Sequence, residues 1–241
     1  MWNLLISLAL GAAVALGIRF GTEFGWVAAV FPGLVAAMVA YLLLARRIMK
    51  RLEGLFESTQ HDVQARRIDK AVQTLETGFA LSPWQFLVAA QLHSNIGILL
   101  YLKQDMDAAL PHLRKSFGKM WLARAMLGAA LYRKKDVAGA REVFEGAVRS
   151  NKKESVLWAA YAWVLEKEGE HQAALAVVGR GVDQNPKDEK LKAVQVTLQN
   201  GKKLKLGKIY EENWFQLYLE SPPTQLVGPG FRGGRRAIYR G

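Results

Sequence analysis

The sequence predicts an all-α protein built in two parts. An N-terminal two-helix transmembrane hairpin comes first. A helical-repeat solenoid of about four units, closed by a C-terminal capping helix, follows it. Three observations lead there. Two uncharged apolar runs, Trp2 to Ile18 and Trp26 to Ala45, open the chain. Small residues then recur in phase, 31 and then 34 residues apart. Each recurrence is flanked by two amphipathic stretches joined by a polar turn. Hydrophobic residues make up 51% of the 241, so the chain is not disordered along its whole length. It has no cysteine, which excludes a disulfide scaffold, a cysteine zinc site, a thiol nucleophile and a lipidated cysteine.

The hairpin occupies residues 1–50. At about 1.5 Å of rise per residue, the second run crosses a hydrocarbon core about 30 Å thick. The first run is shorter and borrows Phe20. Only Arg19 to Gly25 separate the two, so the helices are antiparallel neighbours. Gly11 with Ala15, Ala13 with Gly17, and Gly33 with Ala37 are small residues four apart, a spacing that lets helix backbones approach closely in lipid. The first run lacks the basic start of a cleaved signal peptide. Neither run has the polar face of a soluble hairpin. Arg46, Arg47, Lys50 and Arg51 follow the second run at once. The positive-inside rule then places the repeats and both termini in the cytoplasm, as in a multi-pass protein of the bacterial inner membrane. The same four side chains can contact anionic headgroups at about 1 kcal/mol each.

Residues 51–200 carry the repeats. Gly97, Gly128 and Ala162 align; twelve residues later come Ala109, Ala140 and Ala174. Leu113, Phe144 and Val178 follow four further on, and Ser116, Ala147 and Gly181 three beyond those. The small residue lets two helices of a pair cross closely, and the large one fills the gap a turn later. One unit alone leaves an apolar face wet, so units stack. A fourth, degenerate unit precedes these: Ala71, Leu75, Gly78 and Pro83 keep the second-helix spacing, while Leu52 to Gln64 makes a poor first helix. Glu189 to Leu198 reads as the capping helix.

This pattern resembles the tetratricopeptide repeat family. The third unit matches through Trp158, Tyr161, Ala162, Leu165, Ala174, Val178, Gly181 and Pro186. The second matches through Leu127, Gly128, Leu131, Ala140, Phe144 and Ala147, with Arg124 and Lys152 where the family favours Trp and Pro. The first has His93 in the Trp place. The resemblance implies a membrane-anchored member whose concave inner face is lined by the first helix of each pair. That face would present Asn95, Ile98, Tyr101 and Leu102 from the first clear unit. The second would add Leu122, Met126, Ala129, Tyr132 and Arg133, and the third Ala159 and Trp163. Met126, Tyr132 and Trp163 are the expected anchors, because Met and aromatic side chains carry apolar contacts. Chaperone-binding members clamp a C-terminal carboxylate with Lys, Arg and Asn; Asn95 is the single candidate here, which argues against that role.

Residues 201–220 read as a C-terminal aromatic helix, with Trp214, Leu217 and Tyr218 on one face, packed on the last repeat or filling the groove. Residues 221–241 read as a flexible basic tail. Nine basic and three acidic side chains after residue 190 supply half of the net charge of +12. A basic, aromatic segment can meet RNA, ribosomes or anionic lipid, but a single Arg-Gly stretch is weak, so nucleic acid is the disfavoured partner.

Chemistry has little to stand on. Gly228 to Gly233 has the letters of a dinucleotide fingerprint but no preceding strand and too little chain after it. Ser150 to Lys153 lacks the companion motif of a serine–lysine enzyme. His61, His93, His112 and His171 show no metal-ligand spacing on a helix face. No catalytic residue, cofactor or metal is expected. The sequence therefore predicts a non-enzymatic adaptor or scaffold, whose partners are a peptide or helix in the groove and membrane lipid. The alternatives are a structural subunit of a larger membrane assembly, packing through its hairpin, and a binder of RNA, ribosomes or anionic lipid through the basic tail.

Overall fold

The computed structural model describes residues 1–23 and 25–221. Among these the regular structure is helical. The helices are α1 (Trp2–Gly21), α2 (Trp26–Gln64), α3 (Ile68–Thr77), α4 (Val88–Leu102), α5 (Met106–Arg114), α6 (Trp121–Arg133), α7 (Val137–Ser150), α8 (Ser155–Lys167), α9 (His171–Gln184), α10 (Glu189–Gln199) and the short α11 (Glu212–Phe215). Two 3₁₀ turns, Gly78–Leu81 and Leu206–Lys208, complete the set. The chain divides into two compact units, Met1–Phe117 and Gly118–Gly241. The division differs from the one expected at residue 50, because α2 runs unbroken through that point.

In the first unit, α1 and α2 pack along each other. A β-carbon added to Gly11 would stand 2.6 Å from both the Ala37 β-carbon and the Gly33 carbonyl oxygen. One added to Gly33 would meet the Gly11 carbonyl oxygen at 2.6 Å and the Ala15 β-carbon at 2.7 Å. The two expected pairs, Gly11/Ala15 and Gly33/Ala37, thus interlock backbone against backbone. Ala13 and Gly17 lie outside this seam, and Gly17 has nothing near it. The outer faces carry large exposed apolar side chains, among them Leu5, Phe20, Phe31, Leu34 and Leu43. Both helices are long and apolar enough to cross a membrane, by length and composition.

Past Ala45 the same α2 helix changes partners. Arg46, Arg47, Lys50 and Arg51 stay exposed while Ile48 and Leu52 are buried. With Ala71 and Leu75 of α3 and Val88, Leu92 and Ile96 of α4 they form the core of this unit. Leu52 to Gln64, a poor helix by sequence, is helical as the continuation of α2, and with α3 it forms the degenerate pair. Gly78 makes room for Leu92 and Leu55, and Gly97 for Leu113 of α5.

In the second unit, Gly128 of α6 lies under the Phe144 ring of α7, and Gly181 of α9 under Trp158 of α8. The Gly128–Phe144 contact is the small-against-large one that the repeat spacing predicts. Asn151 closes α7 by donating to Ala147 O at 3.0 Å and to Gly118 O at 2.9 Å. Asn185 repeats the device after α9, on Gly181 O at 3.0 Å and Lys152 O at 2.7 Å. Each Asn ties the end of a second helix to the loop one repeat earlier.

One turn geometry recurs along the chain. Arg66, Gln104, Lys135, Gly169 and Gly201 all have positive φ, between 58° and 80°. The next residue's N–H reaches back five residues, as in Asp105 to Leu100 O at 3.0 Å, Asp136 to Leu131 O at 3.0 Å and Glu170 to Leu165 O at 2.9 Å. This left-handed cap ends each first helix. Arg67 to Asp62 O and Lys202 to Thr197 O show the same bond, so α2 and α10 also end as first helices do. Asp105, Asp136 and Asp188 then accept from the N–H three residues on and start the next helix.

The aromatic helix expected over residues 201–220 is a correction. Only Glu212–Phe215 is helical. Glu211 and Tyr218 adopt positive φ, which breaks the helix on both sides. The periodicity of the apolar residues survives through turns: Leu204, Leu206, Tyr210, Trp214 and Leu217 are all buried.

Candidate protein-interaction site

The candidate surface has one portion in each unit. In the first unit it lies on α4. Asn95 and Ile98 are half-buried and Leu102 is exposed, while Tyr101 is wholly buried. Asn95 spends a side-chain N–H on Gln91 O at 2.9 Å. Accessible contact here comes from Asn95, Ile98 and Leu102.

In the second unit the pattern is different. Met126, Ala129 and Ala159 have no exposed surface, and Trp163 keeps 5% of its own. Met126 therefore cannot meet a partner without the unit opening. Every residue from Val156 to Leu165 is buried, because α8 is enclosed by α7, α9, α10 and the C-terminal segment. Leu122 and Tyr132 remain half-buried and Arg133 is exposed.

Trp163 is covered by the chain itself. The Trp214 ring stands edge-on to it, 5.5 Å between centroids. Glu220 then clasps both indoles: Trp163 Nε1 donates to one carboxylate oxygen at 3.1 Å, and Trp214 Nε1 to the other at 2.9 Å. On the far side the Tyr132 ring meets Trp163 at 5.9 Å, also edge-on. Lys167 lies over the Trp163 ring at 5.1 Å. The result is an aromatic row, Tyr132–Trp163–Trp214, on the first-helix side of the repeats. Edge-on aromatic pairs add about 0.5–1.5 kcal/mol each beyond their area. The Tyr132 hydroxyl donates to Glu168 at 3.0 Å. Burial, that bond and the nearby carboxylate hold the Tyr132 hydroxyl above its ordinary range.

The outer faces carry charge pairs instead. Arg180 donates to both Glu145 oxygens at 2.9 Å, and Arg149 adds a bond at 3.0 Å. These bonds hold the Glu145 carboxyl down to about 2. Arg141 pairs with Glu170.

Two features escaped the sequence reading. Glu220 gave no signal, because its indole partners sit in α8 and at Trp214. His93 and His112, nineteen residues apart, meet across α4 and α5 with Nδ1 atoms 3.2 Å apart. Burial lowers both imidazoles; the partner charge and Lys115 lower His93 further, and Lys115 lowers His112 against an opposing pull from Glu76. Two histidines alone do not make a metal site, and the described residues bring no third ligand to them. The basic tail of 222–241, with the Gly228–Gly233 letters, lies outside the described residues. Ser150 to Lys153 forms the end of α7 and the turn after it.

Residues 131–197, spanning α7 to most of α10, match the tetratricopeptide repeat family. A comparison with curated proteins finds no match. Among solved structures, one described as the crystal structure of MamA is similar at 13% identity. The likeness covers 66% of this chain and 90% of that one, with a TM-score of 0.48. Repeats of this family are typically non-catalytic scaffolds for protein interaction. Within residues 131–197 the chain carries repeats similar to those of the tetratricopeptide repeat family.

Proposed function

We propose that this protein is a membrane-anchored adaptor. The α1–α2 hairpin fixes the chain in a bilayer, and the repeats hold a partner polypeptide at its surface. The observation that carries the reading is the contrast within one chain. The hairpin turns its large apolar side chains outward, whereas the repeats turn theirs inward and leave a short aromatic and apolar margin. In the second unit that margin is Leu122, Tyr132 and Arg133; in the first it is Asn95, Ile98 and Leu102. A partner helix or extended apolar peptide suits such a surface. Arg46, Arg47, Lys50 and Arg51 would lie in the headgroup layer.

The test is site-specific photo-crosslinking in native membranes. A photoreactive residue at position 122 or 132 should capture a defined polypeptide, and one at Lys187, in the loop before α10, should not. Equal capture at all three positions, or none at 122 and 132, contradicts the reading.

A structural subunit packing through the hairpin is the second reading. The open Ala13–Gly17 pair favours it, since this small-residue face is not used by the α1–α2 seam. Co-purification of hairpin-bearing chain with other membrane helices, lost in Gly17→Leu, would support it.

A further inference from the structure

We infer that the segment 82–87 is a third membrane-contacting element, which lays the first unit against the lipid surface beside the hairpin. The inference rests on the hairpin crossing the bilayer. Four observations carry it. First, the segment is joined to the start of the hairpin by backbone. The Trp2 N–H donates to Pro83 O at 3.0 Å, and the Asn3 N–H to Trp84 O at 3.3 Å. These are N–H groups of the first turn of α1, which lack partners inside the helix. Loop and helix end therefore share one depth.

Second, the segment is apolar and turned outward. Trp84 is 39% exposed and Phe86 62%, next to Met1 and Trp2 at 55% each. Together with Leu4 and Tyr41 of the hairpin, Met1, Trp84, Gln85 and Phe86 line a shallow cleft of about 220 Å³. Third, the residue types fit the boundary layer. Trp and Tyr concentrate where hydrocarbon meets headgroups, and here Trp2, Tyr41 and Trp84 sit together. Fourth, the charge changes at the right place. Arg46 follows Tyr41 by five residues, about 7.5 Å along a helix. Arg46, Arg47, Lys50 and Arg51 are exposed from there on, in reach of anionic headgroups.

The segment is also held in shape. Leu87, which precedes α4, has a φ of 70°. A leucine side chain is disfavoured in this left-handed region, and the bonds from Trp2 and Asn3 tie the loop to the hairpin. With Trp84 and Phe86 in the interface, α4 starts from a fixed point at the membrane surface.

The chain has no cysteine, so a single introduced one carries a unique spin label. Full-length protein would be reconstituted in vesicles of phosphatidylcholine and phosphatidylglycerol. Three variants are compared: Phe86→Cys, Leu43→Cys in the hairpin, and Gln73→Cys at an exposed position of α3. Each is first checked for unchanged helix content. The inference predicts that the labels at 43 and 86 collide with oxygen and are shielded several-fold from a water-soluble nickel chelate, relative to 73. A label at 86 as open to nickel as at 73, with 43 still shielded, overturns the inference and leaves the hairpin anchor intact. Nickel access at 43 itself removes the anchor and the inference with it. Shielding at 86 from oxygen and nickel alike marks a protein cover instead of lipid, and also overturns it. If Phe86→Cys does not fold, Trp84→Cys is read by the same outcomes.

Discussion

Helices α1 and α8 are both apolar, yet they meet opposite surroundings. In α8 every residue from Val156 to Leu165 is buried. In α1 the large side chains stay exposed, and the residues the helix buries are Asn3, Ser7 and Gly11. The two helices are built to pack against different surroundings. Thirteen residues of α8 are too few to cross a membrane, so its hydrophobicity is spent on α7, α9, α10 and the C-terminal segment. Twenty residues of α1 suffice, and its close contact uses glycine backbone. Lipid would not drive apolar side chains together, so in a bilayer close approach would hold the hairpin, while the repeats rest on filled volume.

The comparison can be broken first through volume. Phe144→Ala should cost about 3–5 kcal/mol, because the ring fills the space over Gly128 and leaves a cavity. Denaturant unfolding of the detergent-solubilised chain reads this. Leu43→Ala, at an exposed hairpin position, should leave the midpoint unchanged. Equal costs at both sites would erase the distinction between the two regions.

Overpacking is the converse probe. Gly33→Val should destabilise the hairpin by about 1–3 kcal/mol, since even the first added carbon meets the Gly11 carbonyl oxygen. Crosslinking between cysteines placed on α1 and α2 should fall, while the thermal transition of the second unit stays in place. Unchanged crosslinking contradicts the close seam.

A smaller effect concerns the repeated turn. Lys135→Gly should stabilise by up to about 1 kcal/mol, because Lys135 has a φ of 68° and glycine reaches that region without steric cost. Gly169 already occupies the equivalent turn. The same chemical denaturation measures it; a loss of stability would mean that the lysine side chain contributes more than the backbone costs.

Acid separates the two units by sign and range. The folded first unit holds His93 and His112 below the ordinary imidazole value of 6.5, so unfolding takes up protons there. Its stability is full above about 6.5 and falls as the pH drops below it. In the second unit Glu145 is held down to about 2 against an ordinary 4.5. Its contribution is present above 4.5 and fades as the pH falls toward 2. Hydrogen exchange resolved by segment should therefore loosen α4 and α5 before α7 and α9. His93→Phe, which removes the facing pair, should flatten the first step.

Most of the architecture was legible because it depends on spacing. Gly97 with Leu113 and Gly128 with Phe144 stand at the same separation, and both pairs touch. Gly11, Ala15, Gly33 and Ala37 were equally readable, since four residues return to one helix face. The candidate groove was less so. The inner face of a first helix can be named from its register, but Met126 and Trp163 are closed off by packing that no local pattern records. Trp214, Leu217 and Tyr218 fit a helical period that turns satisfy as well. The positive φ at Glu211 and Tyr218 had no glycine to announce it. The His93–His112 contact depends on how α4 crosses α5 and has no trace in either helix alone.

If the hairpin crosses a bilayer, α2 passes from lipid to water near Ala45 while remaining one helix. Single cysteines at exposed positions along it, Leu34, Leu43, Lys50 and Glu57, would be labelled in intact vesicles with a membrane-impermeant maleimide. The account predicts protection at 34 and 43, and ready labelling at 50 and 57 on the repeat-bearing side. Uniform labelling along the helix would contradict it.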